Sequence, residues 1–200
     1  MSEHYYSSRP SVEHDEKDFS FDLRGFSLKF RTDAGVFSRE RIDYGSVLLI
    51  EEMEIGMKDD VLDMGCGYGP IGLAAAKLAS EGKVWMADVN ERAVALAKEN
   101  ALRNNIHNVE IIQSFLFENL PDQKFDVILT NPPIRAGKQT VHQIFEDAYA
   151  HLKENGALWI VIQKKQGAPS AMNKLNKMYQ QVQKVTQDKG YWIIKALKKG

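Results

Sequence analysis

Three groups of residues in this chain combine side-chain type and spacing in ways that bear on chemistry. Residues 61–72 read VLDMGCGYGPIG, with glycines at 65, 67, 69 and 72, and Asp63 two positions before the first of them. Asp88 closes the next β-rich run, about twenty residues after the glycines, where a carboxylate accepts the two hydroxyls of a ribose. Farther on, FDVILTNPPI ends an apolar run with Asn131, Pro132, Pro133 and Ile134. A glycine loop between a strand and a helix lets a ligand approach the backbone, and the helix start offers free N–H groups. A carboxylate at Asp63 repels a pyrophosphate but suits a cationic amine or sulfonium. Gly67, Gly69 and Gly72 also satisfy the GxGxxG spacing, so a nicotinamide site is a competing reading; no Lys-Ser or Lys-Thr pair follows, as a P-loop requires.

The proline turn has its own logic. Proline drives Asn131 towards an extended conformation, and two prolines without N–H groups leave carbonyls free of the sheet. Such a turn fits an exocyclic amine, whose two N–H donors are accepted by the Asn131 side-chain oxygen and the Pro132 carbonyl. Accepting both pulls the nitrogen towards tetrahedral geometry and frees its lone pair to attack a methyl group held in line at about 3–3.5 Å. No strong base is needed, because the nitrogen becomes acidic only as the methyl arrives; Ile134 would cover one face of the base. Singly, Asp63 can be a turn cap, Asp88 a helix cap and Asn131-Pro132 a plain turn. Their conjunction at successive strand ends carries the inference. Cys66 reads as a small space-filler, since no histidine stands near it in sequence.

These residues need a frame to bring them together. Phe19–Leu23 and Phe26–Phe30 alternate around Arg24-Gly25, which predicts a β-hairpin. Ile42–Met53 has roughly helical apolar spacing. From residue 60 onward, β-rich runs (61–64, 83–89, 108–114, 125–131, 157–163) alternate with helical stretches (70–79, 91–105, 141–152). That alternation predicts an α/β fold: a parallel sheet with helices on both faces. A last helix from Ser170 to about Gln181 precedes two runs flanking Asp188-Lys189-Gly190, a terminal antiparallel hairpin. The expected organisation is a polar tail over 1–18 and one domain over 19–200, with hairpin and helix in 19–56 and a Rossmann-like core in 57–200.

The chain has 200 residues, 44% hydrophobic and 26% charged, with one cysteine, which excludes a disulfide framework and a cysteine-based zinc cluster. His142 and His151 share one helix without an acid or cysteine at ligand spacing, so no metal is expected. No apolar run approaches the roughly 18 residues of a membrane span, and MSEHYYSSRP lacks a secretion-signal layout. A soluble, cytoplasmic protein is the expectation. The net charge of −1 hides a gradient: residues 151–200 hold ten Lys and Arg against two Asp and Glu. Such an excess fits either a polyanion-binding face or a solvated lysine-rich surface. Arg135 and Lys138, past the proline turn, and Lys164, at the end of the next strand-like run, are the candidate phosphate contacts.

DMGCGYGPIG, Asp88 and NPPI together resemble a class I S-adenosylmethionine-dependent methyltransferase. TDAGVFSRERIDYGSVLLIE followed by NPPIRAGKQTVHQIFEDA is most similar to the ribosomal RNA small-subunit methyltransferase C family. The resemblance covers about Phe19 to Lys198. It implies a seven-stranded sheet with one reversed strand, S-adenosylmethionine as cofactor, and methylation of a guanine exocyclic amine in small-subunit ribosomal RNA, free or in a particle. By the same resemblance Asp63, Gly65 and Gly67, with Cys66 between them, hold the methionine part. Asp88 holds ribose, and Val89 lines the adenine. Asn131, Pro132, Pro133 and Ile134 hold the target base, and Gly35–Ser38, with Phe37, cover the pocket. Ser114-Phe115 stands where relatives often show an Asp, which implies Phe115 packing on the adenine. Ile134 stands where an aromatic residue is common. NPP-type turns also serve a protein glutamine amide or a DNA adenine, and a non-catalytic RNA-binding module is the reading from another class.

Overall fold

The computed structural model describes residues 7–200; the first six residues of the expected tail lie outside the described part. A hairpin of β1 (Lys17–Leu23) and β2 (Phe26–Thr32) leads to α1 (Tyr44–Glu52). Then follow β3 (Asp60–Met64), α2 (Pro70–Leu78), β4 (Lys83–Asp88), α3 (Glu91–Arg103), β5 (Val109–Gln113) and β6 (Phe125–Thr130). The chain ends with α4 (Lys138–His151), β7 (Leu152–Gln163), α5 (Ala168–Asn176), β8 (Gln181–Asp188) and β9 (Tyr191–Leu197).

The hairpin turn is made by Arg24 and Gly25, both at positive φ (50° and 81°), a twist that matches the flanking strands. The remaining seven strands form one sheet in the order β5-β4-β3-β6-β7-β9-β8. β3 to β7 run parallel, and β9 is antiparallel to both β7 and β8, as the sequence predicts. Alternation within the strands divides the core. Val61, Val84, Met86, Val127, Leu129, Trp159 and Val161 belong to one buried cluster with α1, α2 and α3. Leu62, Ala87, Ile128, Leu158, Ile160 and Ile162 belong to another, with α4 and α5. Strands covered on both faces in this way read as near-continuous apolar runs, which is why they stand out in the sequence.

The order reverses at β3, whose chain successors lie to one side (β4, β5) while β6 lies on the other. Loops leaving the carboxyl ends of β3 and β6 therefore meet at the switch point, where open α/β sheets bind ligands. The glycine loop and the proline turn are these two loops.

The hairpin is fastened to α3 by side chains that imitate a strand. Asn104 accepts from Lys29 N (2.8 Å) and donates to Lys29 O (2.7 Å). One turn earlier, Asn100 accepts from Arg31 N (2.7 Å) and donates to Arg31 O (2.9 Å) and to Tyr68 O in the glycine loop (2.9 Å). Residues four apart on a helix thus match residues two apart on a strand edge, and the edge is satisfied.

Three boundaries differ from expectation. β1 begins at Lys17, so the tail's expected end at residue 18 falls within the strand. The described residues before it, 7–16, carry no helix or strand but are held in place: Arg92 donates to Val12 O (2.9 Å) and Ala34 O (2.6 Å), and Asp33 accepts from Asp15 N (2.6 Å). β7 reaches back to Leu152 through an irregular start, with Asn155 at φ 63° and Lys153 bridging Asp60 and Asp126. α5 ends at Asn176 because Tyr179 turns inward to donate to Phe145 O (2.9 Å).

Candidate functional site

The glycine loop is pinned at its base: Gly65 N and Cys66 N both donate to Ala87 O (2.8 and 3.0 Å). Gly69, the residue before α2, has φ 112°, which L side chains rarely adopt. At Gly72 a Cβ would lie 2.7 Å from the Met86 side chain, so any other residue there would force that side chain to shift. Asp88, at the end of β4, accepts from Gly67 N (2.8 Å) and Asn90 N (2.9 Å). A carboxylate has about four acceptor sites, more than the backbone fills, so acceptor capacity remains for a ligand hydroxyl. Burial raises the Asp88 pKa, opposed by these backbone donors.

Asp63 departs from the expected role. Its side chain is fully buried, points to the α2 side of the sheet and accepts from Gly72 N (2.8 Å); its other oxygen has no partner. Burial pushes its pKa up to about 7, opposed by the Gly72 N–H. It is not among the residues that line the cavity. The reason is its place: β3 continues to Met64, and the crevice opens beyond that residue. Two other carboxylates, Asp43 and Asp88, do line the cavity.

Asn131 leaves β6 with its amide held from behind. Its Nδ2 donates to Asp43 Oδ2 (3.2 Å) and to Ser46 Oγ (3.0 Å). A carboxylate only accepts, so the NH2 must face Asp43 and the carbonyl oxygen must face away. Asp43 is itself the N-cap of α1, accepting from Ser46 N (3.1 Å), and its other oxygen accepts from the Tyr191 hydroxyl (3.4 Å). The sequence reading missed Asp43, Ser46 and Tyr191. The first two carry a local signal, an Asp three residues before a Ser at a helix start, whereas Tyr191 carries none.

Two cavities meet at this asparagine. One, of about 370 Å³, runs from Asp88 and the glycine loop to the proline turn. The other, of about 380 Å³, opens on the far side towards Gln163 and Tyr191. Both are lined by Phe37, Ser38, Asp43, Asn131, Pro132 and Arg135. Each volume falls in the range of small-ligand sites, about 300–1,000 Å³.

Of the candidate residues, Gly65, Cys66, Gly67, Asp88 and Val89 line the first cavity, as do Ser114, Phe115 and Pro133. Ile134 lines only the second, with Gly35 and Val36. Ser114 is committed internally, its Oγ donating to Leu116 O (2.8 Å) and accepting from Asn119 N (3.1 Å), whereas the Phe115 ring is 53% exposed at the cavity rim. The Cys66 thiol is buried and its pKa raised by burial and by Asp88 and Asp63, which leaves it a space-filler. Ser38 O accepts from the Tyr68 hydroxyl (3.2 Å) and Gly35 O from Asn90 Nδ2 (2.9 Å), so the covering segment is tied to the loop beneath it. Lys138 begins α4 and lines neither cavity; Lys164 lines a shallow neighbouring depression with Lys165 and Lys189.

The arrangement fits S-adenosylmethionine: a ribose acceptor at Asp88, apolar walls at Val89 and Phe115, and a second carboxylate, Asp43, beside the point where a cationic centre would meet the proline turn. Residues 27–195 match the family model of the methyltransferase small domain. The uncharacterised protein YbxB of Bacillus subtilis is 54% identical over 200 residues, covering 99% of this chain and all of its own. The ribosomal RNA small subunit methyltransferase C of Serratia proteamaculans is 36% identical over 138 residues, 67% of this chain and 39% of that protein. This chain thus spans about two-fifths of that relative's length. Among solved structures, the T. thermophilus 16S rRNA N2 G1207 methyltransferase, in complex with AdoMet and guanosine, superposes with a TM-score of 0.84 at 23% identity. That match covers 95% of this chain and 52% of the other, and shows a shared fold. With the family model matching nearly the whole described domain, on a sheet whose switch point holds the glycine loop and the proline turn, the chain belongs to the methyltransferase small domain family.

Proposed function

We propose that this protein transfers a methyl group from S-adenosylmethionine to the exocyclic amine of a guanine in ribosomal RNA, in the small subunit. The observation that carries the reading is the Asn131 amide, which lines both cavities and whose NH2 is held by Asp43 and Ser46, leaving its oxygen uncommitted to them. The cofactor supplies an electrophilic methyl carbon on a sulfonium. Asp88 would hold the ribose through its remaining acceptor capacity, and Val89 and Phe115 would flank the base of the nucleoside. From the other cavity, the target amine gives one N–H to Asn131 Oδ1 and the other to the Pro132 carbonyl, which localises the lone pair towards the methyl. The excess proton leaves to water, because an asparagine amide does not hold one at neutral pH. Arg135, exposed at the mouth of both cavities, is placed to meet a phosphate beside the target nucleotide.

The names of the relatives support ribosomal RNA as the substrate class, and the excess of lysine in the last fifty residues supports a polyanionic partner. Incubation with methyl-labelled cofactor and small-subunit RNA or particles tests the reading. Label in N2-methylguanine is expected; label confined to protein, to DNA, or to no macromolecule would refute it.

A further inference from the structure

The positive charge of the last fifty residues is not evenly available. Lys153 is paired with Asp60 and Asp126, Lys174 with Glu146 and Lys195 with Glu54, and Lys198 donates to the Tyr149 and Leu152 carbonyls (2.9 and 3.0 Å). Lys164 and Lys165 are exposed and, among the described residues, have no carboxylate partner. Both lie in the short turn Lys164–Gln166 after β7, and Lys164 N donates to Gly190 O (2.8 Å), which brings the β8–β9 turn alongside. That turn adds Lys189, its ammonium 4.3 Å from the centre of the Tyr44 ring. Asp188, the only acid after Glu154, accepts from the Tyr44 hydroxyl. The depression between the two turns is lined by the three lysines and by no carboxylate. Shared walls give its place. The second cavity shares Asn131, Pro132 and Arg135 with the first cavity, and Gln163 with the depression; the first cavity and the depression share no residue. The three compartments therefore stand in a row.

We propose that this depression is a phosphate-binding surface for single-stranded RNA, which takes the backbone on one side of the target nucleotide through Lys164, Lys165 and Lys189. Arg135 stands on the opposite boundary of the second cavity, the wall shared with the first. The inference rests on the amine-methylation reading above and adds to it the path of the strand. A base drawn into the second cavity leaves its flanking phosphates outside, at the mouth. Ammonium groups on long flexible stems suit phosphates whose spacing varies, and they hold a strand in register without reading its bases. A base must leave its stack to enter, which a single strand allows at least cost. An acidic peptide is also drawn to lysines, but it offers nothing to the base-sized cavity next door.

The test measures, by fluorescence anisotropy over a range of KCl concentrations, the binding of two short oligouridylates, one with a single guanine at its 5′ end and one with it at its 3′ end. A lysine on a phosphate of a single strand contributes about 0.7 to the salt slope. The triple variant Lys164→Gln, Lys165→Gln, Lys189→Asn should therefore lower the slope by about 2, and the affinity by about a hundredfold at 0.1 M salt, for one of the two oligonucleotides. Asn is used at 189 because the backbone there is left-handed, with φ 46°. A control variant, Lys29→Gln, Lys98→Gln, Lys177→Gln, removes the same charge from exposed lysines that line none of the three compartments, and should leave both slopes largely intact. Equal loss with both oligonucleotides, loss with neither, the same loss in the control variant, no measurable binding of either RNA, or tighter binding of polyglutamate than of RNA would overturn the inference. A one-sided lysine effect without methyl transfer to any RNA would instead count against the methylation reading.

Discussion

Replacing Asp63 by Asn removes a titrating group without removing an acceptor, since the Asn side-chain oxygen can still take the Gly72 N–H. In the folded protein burial holds the Asp63 pKa at about 7, against 3.8 for the unfolded chain. Between those values the folded state keeps a proton that the unfolded state has released, so this group's contribution to stability falls as pH rises. The fall starts near pH 4, and is complete just above pH 7. About three pKa units at about 1.4 kcal/mol each give roughly 4 kcal/mol as the full difference. Asp63→Asn should therefore already exceed the unaltered protein by about 1 kcal/mol near pH 4.5, and progressively more, up to about 4 kcal/mol, at pH 8. Asp33, Asp18 and Glu40, whose pKa values are lowered, act in the opposite sense at more acid pH. They are common to both proteins and cancel in the comparison. Urea denaturation without cofactor, at half-unit intervals from pH 4.5 to 8, measures the difference. A constant offset across that range, or a gap that widens towards acid, would refute the assignment of Asp63 as a buried, largely protonated acid.

Asn131→Ala should lower the transfer rate by about 10²–10³-fold while cofactor affinity stays within about twofold, as read by single-turnover labelling and equilibrium dialysis. Asp88→Ala should do the reverse first, weakening cofactor binding by roughly 10–100-fold, since hydrogen bonds to a charged acceptor are involved; calorimetric titration with cofactor checks it. Asn100→Ala strips Arg31 N, Arg31 O and Tyr68 O of a partner and should cost roughly 2–4 kcal/mol in chemical denaturation.

Much of the frame was legible because the central strands are covered on both sides, and strand–helix alternation from residue 60 onward is its direct imprint. The two loops of the switch point were legible for the same reason: glycines and prolines are the residues that leave a strand abruptly. Side-chain direction was harder. Asp63 shares the parity of Val61, which packs on the α2 side, and the alternation within VLDM already pointed it away from the crevice. The surroundings of Asn131 were illegible because they arrive from opposite ends of the chain: its partner Asp43 precedes it by 88 positions, and Tyr191, which donates to Asp43, comes from the last strand. Phe115 and Ser114 both line the cavity, but only the structure shows the serine hydroxyl spent within its own turn.

The paired asparagines of α3 have a consequence for the anatomy of the protein. Asn100 clasps the hairpin with one half of its amide and the glycine loop with the other, so a piece that looks detachable is spliced into the mouth of the pocket. Excising everything before residue 57 would not yield a smaller working core. It would leave Asn100 exposed on a bare helix flank, Tyr68 without its brace, and the cavity roofless on the side where Phe37 now stands.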